Sequence, residues 1–278
     1  MPEYQSAESL LADAELRAEG LGANSGILVV EGPDDKRLFA RHAIDITQVL
    51  PAGGRRLLLS AHEKASVEQR SKIVFVTDCD YEVRRGNLKG AQGLIITTLT
   101  DLESDLLNIG LLDSLVTEIV PRALDSEEAK KRISDQVRQR AEALALPLGR
   151  VRMAAQPLGV ELKLDELKLH RYRDSRTGQV DAQKLVDALH TKVAEQLSLV
   201  QWRQLVAETP TDRGMCHGKD LLRAVAVVFK DDLRAGTITA DQLARDLRLS
   251  ADQGHLDDWD VVRRIRVWQR ENGRSILR

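Results

Sequence analysis

The stretch "GILVVEGPDDKRLFARHA", Gly26 to Ala43, decides the fold. It opens on a short apolar run rich in β-branched residues, stops on Glu31 and Gly32, and resumes at Asp34 and Asp35 with a helical pattern. A buried strand handing over at once to a helix is the reading this order supports. Polar strand ends are common, and a single carboxylate there caps a turn. Several converging carboxylates bind metal, so what matters is which other strands end in acids.

"KIVFVTDCD" (Lys72 to Asp80) is the clearest buried strand of the chain, and it ends on Asp78-Cys79-Asp80. "ITQVLPAGG" reads as a weaker strand closing in a Pro and Gly loop, Arg55 to Gln69 suits a helix, and "GLIITTLTD" is a further strand. "DLESDLLNIGLL" begins a helix for which Thr100 or Asp101 is the natural N-cap. Strands and helices alternating at this interval imply βαβ crossovers, and unbroken apolar strands imply a mainly parallel sheet covered on both faces. Ligand sites in such sheets lie beyond the carboxyl ends of the strands. Glu31, Asp78, Asp80 and the stretch from Asp101 to Glu103 all fall there.

The chain has 278 residues, enough for a core domain and an accessory region, and 42% of them are hydrophobic. With 41 Lys and Arg against 43 Asp and Glu it carries no global basic field, so any polyanion site must be a local patch. Its two cysteines, Cys79 and Cys216, have no metal-ligand spacing, which argues against a structural zinc site and a disulfide framework. "MPEYQSAESLLADAELRAEG" reads as an acidic amphipathic helix rather than a signal peptide, and no apolar run is long enough for a bilayer. The expectation is a soluble, cytoplasmic protein without a membrane partner.

From about Leu111 charged helical patterns dominate. In "DAQKLVDALHTKVAEQL" Leu185, Leu189, Val193 and Leu197 fall near one face. "RVRMAAQPLGVELKLDELKLHRYRD" fits an edge strand or a helix equally well. In the last helix Arg263, Arg266 and Arg270 share one face, more simply a solvated face than a nucleic-acid surface, while Val261, Ile265 and Trp268 share another.

Asp78 and Asp80 can turn toward one point once the chain leaves strand geometry, and hard divalent cations such as Mg2+ want oxygen ligands of this kind. The plain alternative is a polar strand end capping its own turn. Haloacid-dehalogenase-type phosphatases place Thr or Val two residues after such a pair, where this chain has Glu82. Cys79 between two acids is a poor nucleophile.

A first strand ending in Glu31-Gly32, Asp35 one helical turn on, a buried strand ending in Asp78-x-Asp80 and an acidic helix start at Glu103 together resemble the Toprim domain. That is the metal-dependent module of topoisomerases, bacterial primases and the overcoming-lysogenization-defect nucleases. The run from Asp34 to Phe39 and "TTLTDLESDLL" are similar to the Toprim-like proteins paired with ABC-type ATPases in phage defence, the effector of the PARIS system among them. The resemblance spans about Gly26 to Leu107, with a weaker likeness in "LGRVRM" and "CHGKDLL". It implies a Rossmann-like Toprim sheet over residues 25–123, after an N-terminal helix over 1–24 and before a mainly helical region over 124–278 packed on the sheet. It also implies a general acid or base at Glu31, metal ligands at Asp78 and Asp80, further acidic ligands at Asp35 and Glu103, and Mg2+ or Mn2+ as the cofactor. Asp35 suits the start of a helix equally well through its charge, and Asp101 is assigned to capping.

Arg84, Arg85 and Lys89 follow the Asp-x-Asp directly and are the first candidates for phosphate contacts, with a solvated loop as the plain alternative. "RGMCHGKDLLRAVAVVF" is not a phosphate loop of the ATPase type, because only three residues separate Gly214 from Gly218-Lys219 and Asp220 replaces the required hydroxyl. If the resemblance extends that far, Lys219 is a second catalytic candidate that steadies developing negative charge. The expectation is therefore a divalent-metal-dependent endonuclease acting on DNA or RNA, transfer RNA included, and regulated by a separate ABC-type ATPase. The helices after Leu111 suit a homodimer contact as well as a grip on that ATPase. Two other readings use the same residues: a metal-dependent phosphatase or phosphotransferase, and a non-catalytic interaction module.

Overall fold

The computed structural model describes residues 4–81, 86, 89–121, 125–160, 162, 164, 167–174 and 177–278, without the side chain of Arg213. The chain divides into two compact units, Met1–Asp105 together with Ala251–Arg278, and Leu106–Ser250. This is a different division from the one expected at residue 123. The last 28 residues belong with the sheet, not with the helical region that precedes them.

The first unit contains helix α1 (Ala7–Leu21), strand β1 (Ile27–Val30), α2 (Pro33–Ala40), β2 (Val49–Pro51), α3 (Arg55–Lys64) and α4 (Val67–Arg70). It continues with β3 (Ile73–Thr77), β4 (Leu94–Ile96), all but the last residue of α5 (Leu102–Leu106), α6 (Gln253–Asp258) and α7 (Asp260–Asn272). The four strands form one sheet in the order β2-β1-β3-β4, and every pairing is parallel. All residues of these strands are buried, as the unbroken apolar runs require of a sheet covered on both faces.

Alternation along the strands divides the core. Ile27, Val29, Ile73, Phe75, Leu94 and Ile96 share one cluster with Leu10, Leu11 and Ala14 of α1 and Leu58 and Ala61 of α3. The intervening residues Leu28, Val30, Val74, Val76 and Ile95 are equally buried. Helices α2 and α7, whose buried residues lie outside that cluster, contact β2, β3 and β4. The helix expected over 55–69 is two helices, because Ser66 caps a new one by accepting from the Gln69 amide. Ser6 caps α1 through the Ser9 amide in the same way.

The terminal residues clip onto the start of the sheet. Gly26 N donates to Ser275 O at 3.1 Å, and Ser275 N donates to Asn24 O at 2.8 Å. A Cβ on Gly26 would lie 3.0 Å from the Trp268 ring and 3.1 Å from Ile276, so any side chain there would have to push those neighbours aside. The arginine face of α7 is half-buried or exposed, with Arg266 paired to Asp257 at 2.6 Å, while Val261, Ile265 and Trp268 are buried.

The second unit is helical. Its longest helix, Glu127–Ala155, starts at the cap Ser126 and carries Pro147 inside. Leu148, Val151, Leu185, Leu189, Val193 and Trp202 belong to one of its hydrophobic clusters. The ambiguous stretch after Arg150 finishes that helix, makes a short 3-10 turn at Gln156–Leu158 and ends it on left-handed Gly159. Among the described residues from 160 to 168 there is neither strand nor helix, and Leu162 and Leu164 simply plug into the core. Gly218–Val227 is a helix whose Asp220 is fully buried and paired with Arg152 at 3.0 Å and Arg223 at 3.3 Å. Asp220, at the position a phosphate loop needs as a hydroxyl, is thus a structural ion-pair centre. No helix of the described residues is long and apolar enough to cross a membrane.

Candidate metal centre

Register places the acids. Val30 stands opposite Val76 in the sheet, so the residues that follow them, Glu31 and Thr77, leave the same edge side by side. β2 lies beyond β1 and β4 beyond β3, which makes the β1/β3 boundary the point where strand order reverses. Parallel sheets open a crevice for ligands at that point.

Glu31 is fixed from β3. Its Oε1 accepts from the Thr77 hydroxyl at 2.5 Å and from the Asp78 amide at 2.8 Å. Asp78 Oδ1 accepts from the Leu102 amide at 3.2 Å, at the start of α5. Asp80 takes a positive φ of 42°, which costs a non-glycine residue on the order of 1 kcal/mol or more, and its amide donates to Thr100 O at 2.7 Å. Cys79 is buried between them, its amide bound to the Thr97 hydroxyl at 2.8 Å. The β4–α5 loop thus moulds the turn that presents both aspartates.

That loop is itself held by buried Asp105. Its carboxylate accepts from the amides of Thr98 and Leu99 at 3.0 and 2.7 Å and from the Trp259 indole at 2.9 Å, and Trp259 stacks on Phe39. Burial nonetheless pushes the Asp105 pKa up, against the pull of those three donors.

Electrostatics identifies the cluster. Burial first, and then the carboxylates of Asp101, Glu31, Asp35 and Asp80 in that order, push the Asp78 carboxyl well above its ordinary range. Four carboxylates therefore act on the Asp78 carboxyl, and each adds to the free energy a cation would relieve. Asp35 Oδ2 also accepts from the Gly32 amide at 2.8 Å, as a helix-start acid does. Asp101 caps α5 through the Ser104 amide at 3.0 Å, the role expected of it, and is also the strongest of the charges acting on Asp78. Glu103 lies two residues further into α5 and is half-buried.

Among the described residues a cation stands against these acids. Arg55 Nη1, at the first turn of α3, donates to Asp78 O at 2.6 Å and to Asp80 Oδ2 at 2.8 Å, and lies 3.9 Å from Glu31 Oε1. Its side chain is only 17% exposed. No sequence motif singles it out. The available signal is positional: it follows Gly53-Gly54 at the carboxyl end of β2, beside the end of β1.

The donor set is all oxygen, which suits Mg2+ or Mn2+ and not a thiophilic metal. As the side chains stand, no three acids, histidines or cysteines among the described residues are close enough to hold an ion together. The fit is one of donor chemistry and charge. Lys89 is exposed, and Arg84 and Arg85 lie outside the described residues. Lys219 is an exposed residue of the second unit, near the start of Gly218–Val227, and the centre described here is built from the first unit alone. No protein-family model and no curated protein sequence matches this chain.

Proposed function

We propose that the chain is a divalent-metal-dependent nuclease of the Toprim type. The observation that carries the proposal is the gathering of Glu31, Asp35, Asp80 and Asp101 around the buried Asp78 carboxyl at the switch point of a parallel sheet. Asp78 and Asp80 would hold the metal, with Asp35 and Glu103 as further acidic donors. A bound divalent cation supplies a nucleophile at neutral pH and stabilises charge on the leaving oxygen of a phosphodiester.

The remaining work falls to this chain's own groups. Both hydrogen bonds to Glu31 end on Oε1, so Oε2 is the oxygen that would take or return a proton. The Thr77 hydroxyl and Asp78 amide fix the plane of that carboxylate. Arg84, Arg85 and Lys89 would contact the polynucleotide backbone, and Lys219 is kept as a second catalytic candidate on the resemblance alone. The same resemblance supports a cytoplasmic effector of phage defence under the control of an ABC-type ATPase.

The test is cleavage of plasmid DNA, single-stranded DNA and total RNA by the purified protein in Mn2+ and in EDTA, beside Glu31→Gln and a small aryl phosphate. Metal-dependent cutting of a polymer, reduced at least about a hundredfold in Glu31→Gln, supports the nuclease. Hydrolysis of the small ester without polymer cutting would replace it with a phosphatase.

A further inference from the structure

We infer that Arg55 is a built-in counter-cation of the carboxylate cluster and that a divalent metal takes its place on Asp80. The inference rests on the reading of this cluster as a metal centre and adds a residue and an exchange to it.

Two observations carry it. The first is position: one nitrogen, Nη1, bridges the Asp80 carboxylate and the Asp78 main-chain carbonyl while facing Glu31. The guanidinium thus sits against the Asp80 carboxylate and beside that of Glu31, and it touches Asp78 through the main chain. The second is burial, since the pair formed with Asp80 is largely out of water on the arginine side. A charge pair in such a place is screened far less than a surface pair.

A divalent cation bound to Asp80 would stand close to the guanidinium held 2.8 Å from Oδ2, in a place where charge is weakly screened. Like charges repel, so Arg55 lowers the affinity of the cluster for a second cation. The metal-free protein gains from the arrangement, because removing Arg55 would take away a positive charge that faces both Asp80 and Glu31. Arg55 is therefore a positioning residue. It holds Asp80 in its left-handed turn until a metal arrives, and it sets how much metal is needed.

The experiment compares wild type, Arg55→Gln and Arg55→Lys by calorimetric titration with Mn2+ at constant ionic strength. Wild type should bind, Arg55→Gln should bind about tenfold more tightly, and Arg55→Lys, which restores the charge, should return toward wild type. Equal or weaker binding by Arg55→Gln, with wild type binding, overturns the exchange and leaves the metal centre standing. Absence of binding in all three proteins overturns the metal centre itself.

If Arg55→Gln does not fold, the wild-type protein decides the matter. Its crystal structure with Mn2+, located by anomalous scattering, should show the metal on Asp80 and Arg55 withdrawn beyond hydrogen-bond distance. Metal on Asp80 with the 2.8 Å contact retained would overturn the exchange.

Discussion

Asp78 concentrates the energetic tension of the fold. Its carboxyl is buried, surrounded by four others and bound to the Leu102 amide through one oxygen. Asp78→Asn keeps the shape and that acceptor while removing the charge. It should stabilise the metal-free protein by roughly 1–3 kcal/mol, read from urea unfolding in EDTA at pH 7.5, while abolishing stabilisation by Mn2+. A destabilised Asn protein would mean that the charge is satisfied in the metal-free fold. Asp105 should behave in the opposite way. An amide nitrogen cannot accept from Thr98, Leu99 and Trp259 as the carboxylate does, so Asp105→Asn should cost about 2–4 kcal/mol in the same assay.

At the level of strands and helices, much of the sheet is legible from the sequence. Runs such as "IVFVT" have nowhere to go but the middle of a covered sheet, and the acids after them necessarily reach its carboxyl edge. Arg55 is not legible, because a charged residue at the start of a helix is unremarkable until strand order places it beside Glu31. The division at Ser66 and the lack of strand or helix among the described residues between 160 and 168 depend on caps and tertiary burial that outweigh periodicity. Helix α3 also carries a pH signal. His62 donates to Gln92 O at 2.9 Å and meets Phe75 edge-on, and burial holds its pKa below the ordinary value. A depressed pKa means that the unfolded chain binds more protons in that window, so stability falls as pH drops from about 6.5 toward the folded value. His42, also depressed by burial, adds to the slope. The raised Asp78 and Asp105 carboxyls act in the opposite direction, so the contribution is read by difference: between pH 7.5 and 5.5 wild type should lose stability relative to His62→Gln. An unchanged difference between the two proteins would remove His62 as a source of the slope.

Across the whole chain, the sheet unit is discontinuous, made of Met1–Asp105 and Ala251–Arg278. Periodicity identifies the apolar face of the last helix but not its target, because a return over more than a hundred residues leaves no local trace. Buried Trp259, Val261, Val262, Ile265 and Trp268 all come from that return. Each is worth about 1.5–3 kcal/mol of burial, comparable in sum with the stability of a domain. A chain ending at Ser250 should therefore lose the near-ultraviolet circular dichroism and cooperative melting of its sheet unit; retention of both would show the sheet to be independent of its C-terminal helices. The central claim, that the strand-end carboxylates form a divalent-metal centre, is tested most directly by the paramagnetic resonance signal of free Mn2+ titrated with wild-type and Asp78→Asn protein. The account predicts that wild type depletes the free-ion signal and Asp78→Asn does not. Equal depletion by both proteins, or none by wild type, would contradict it.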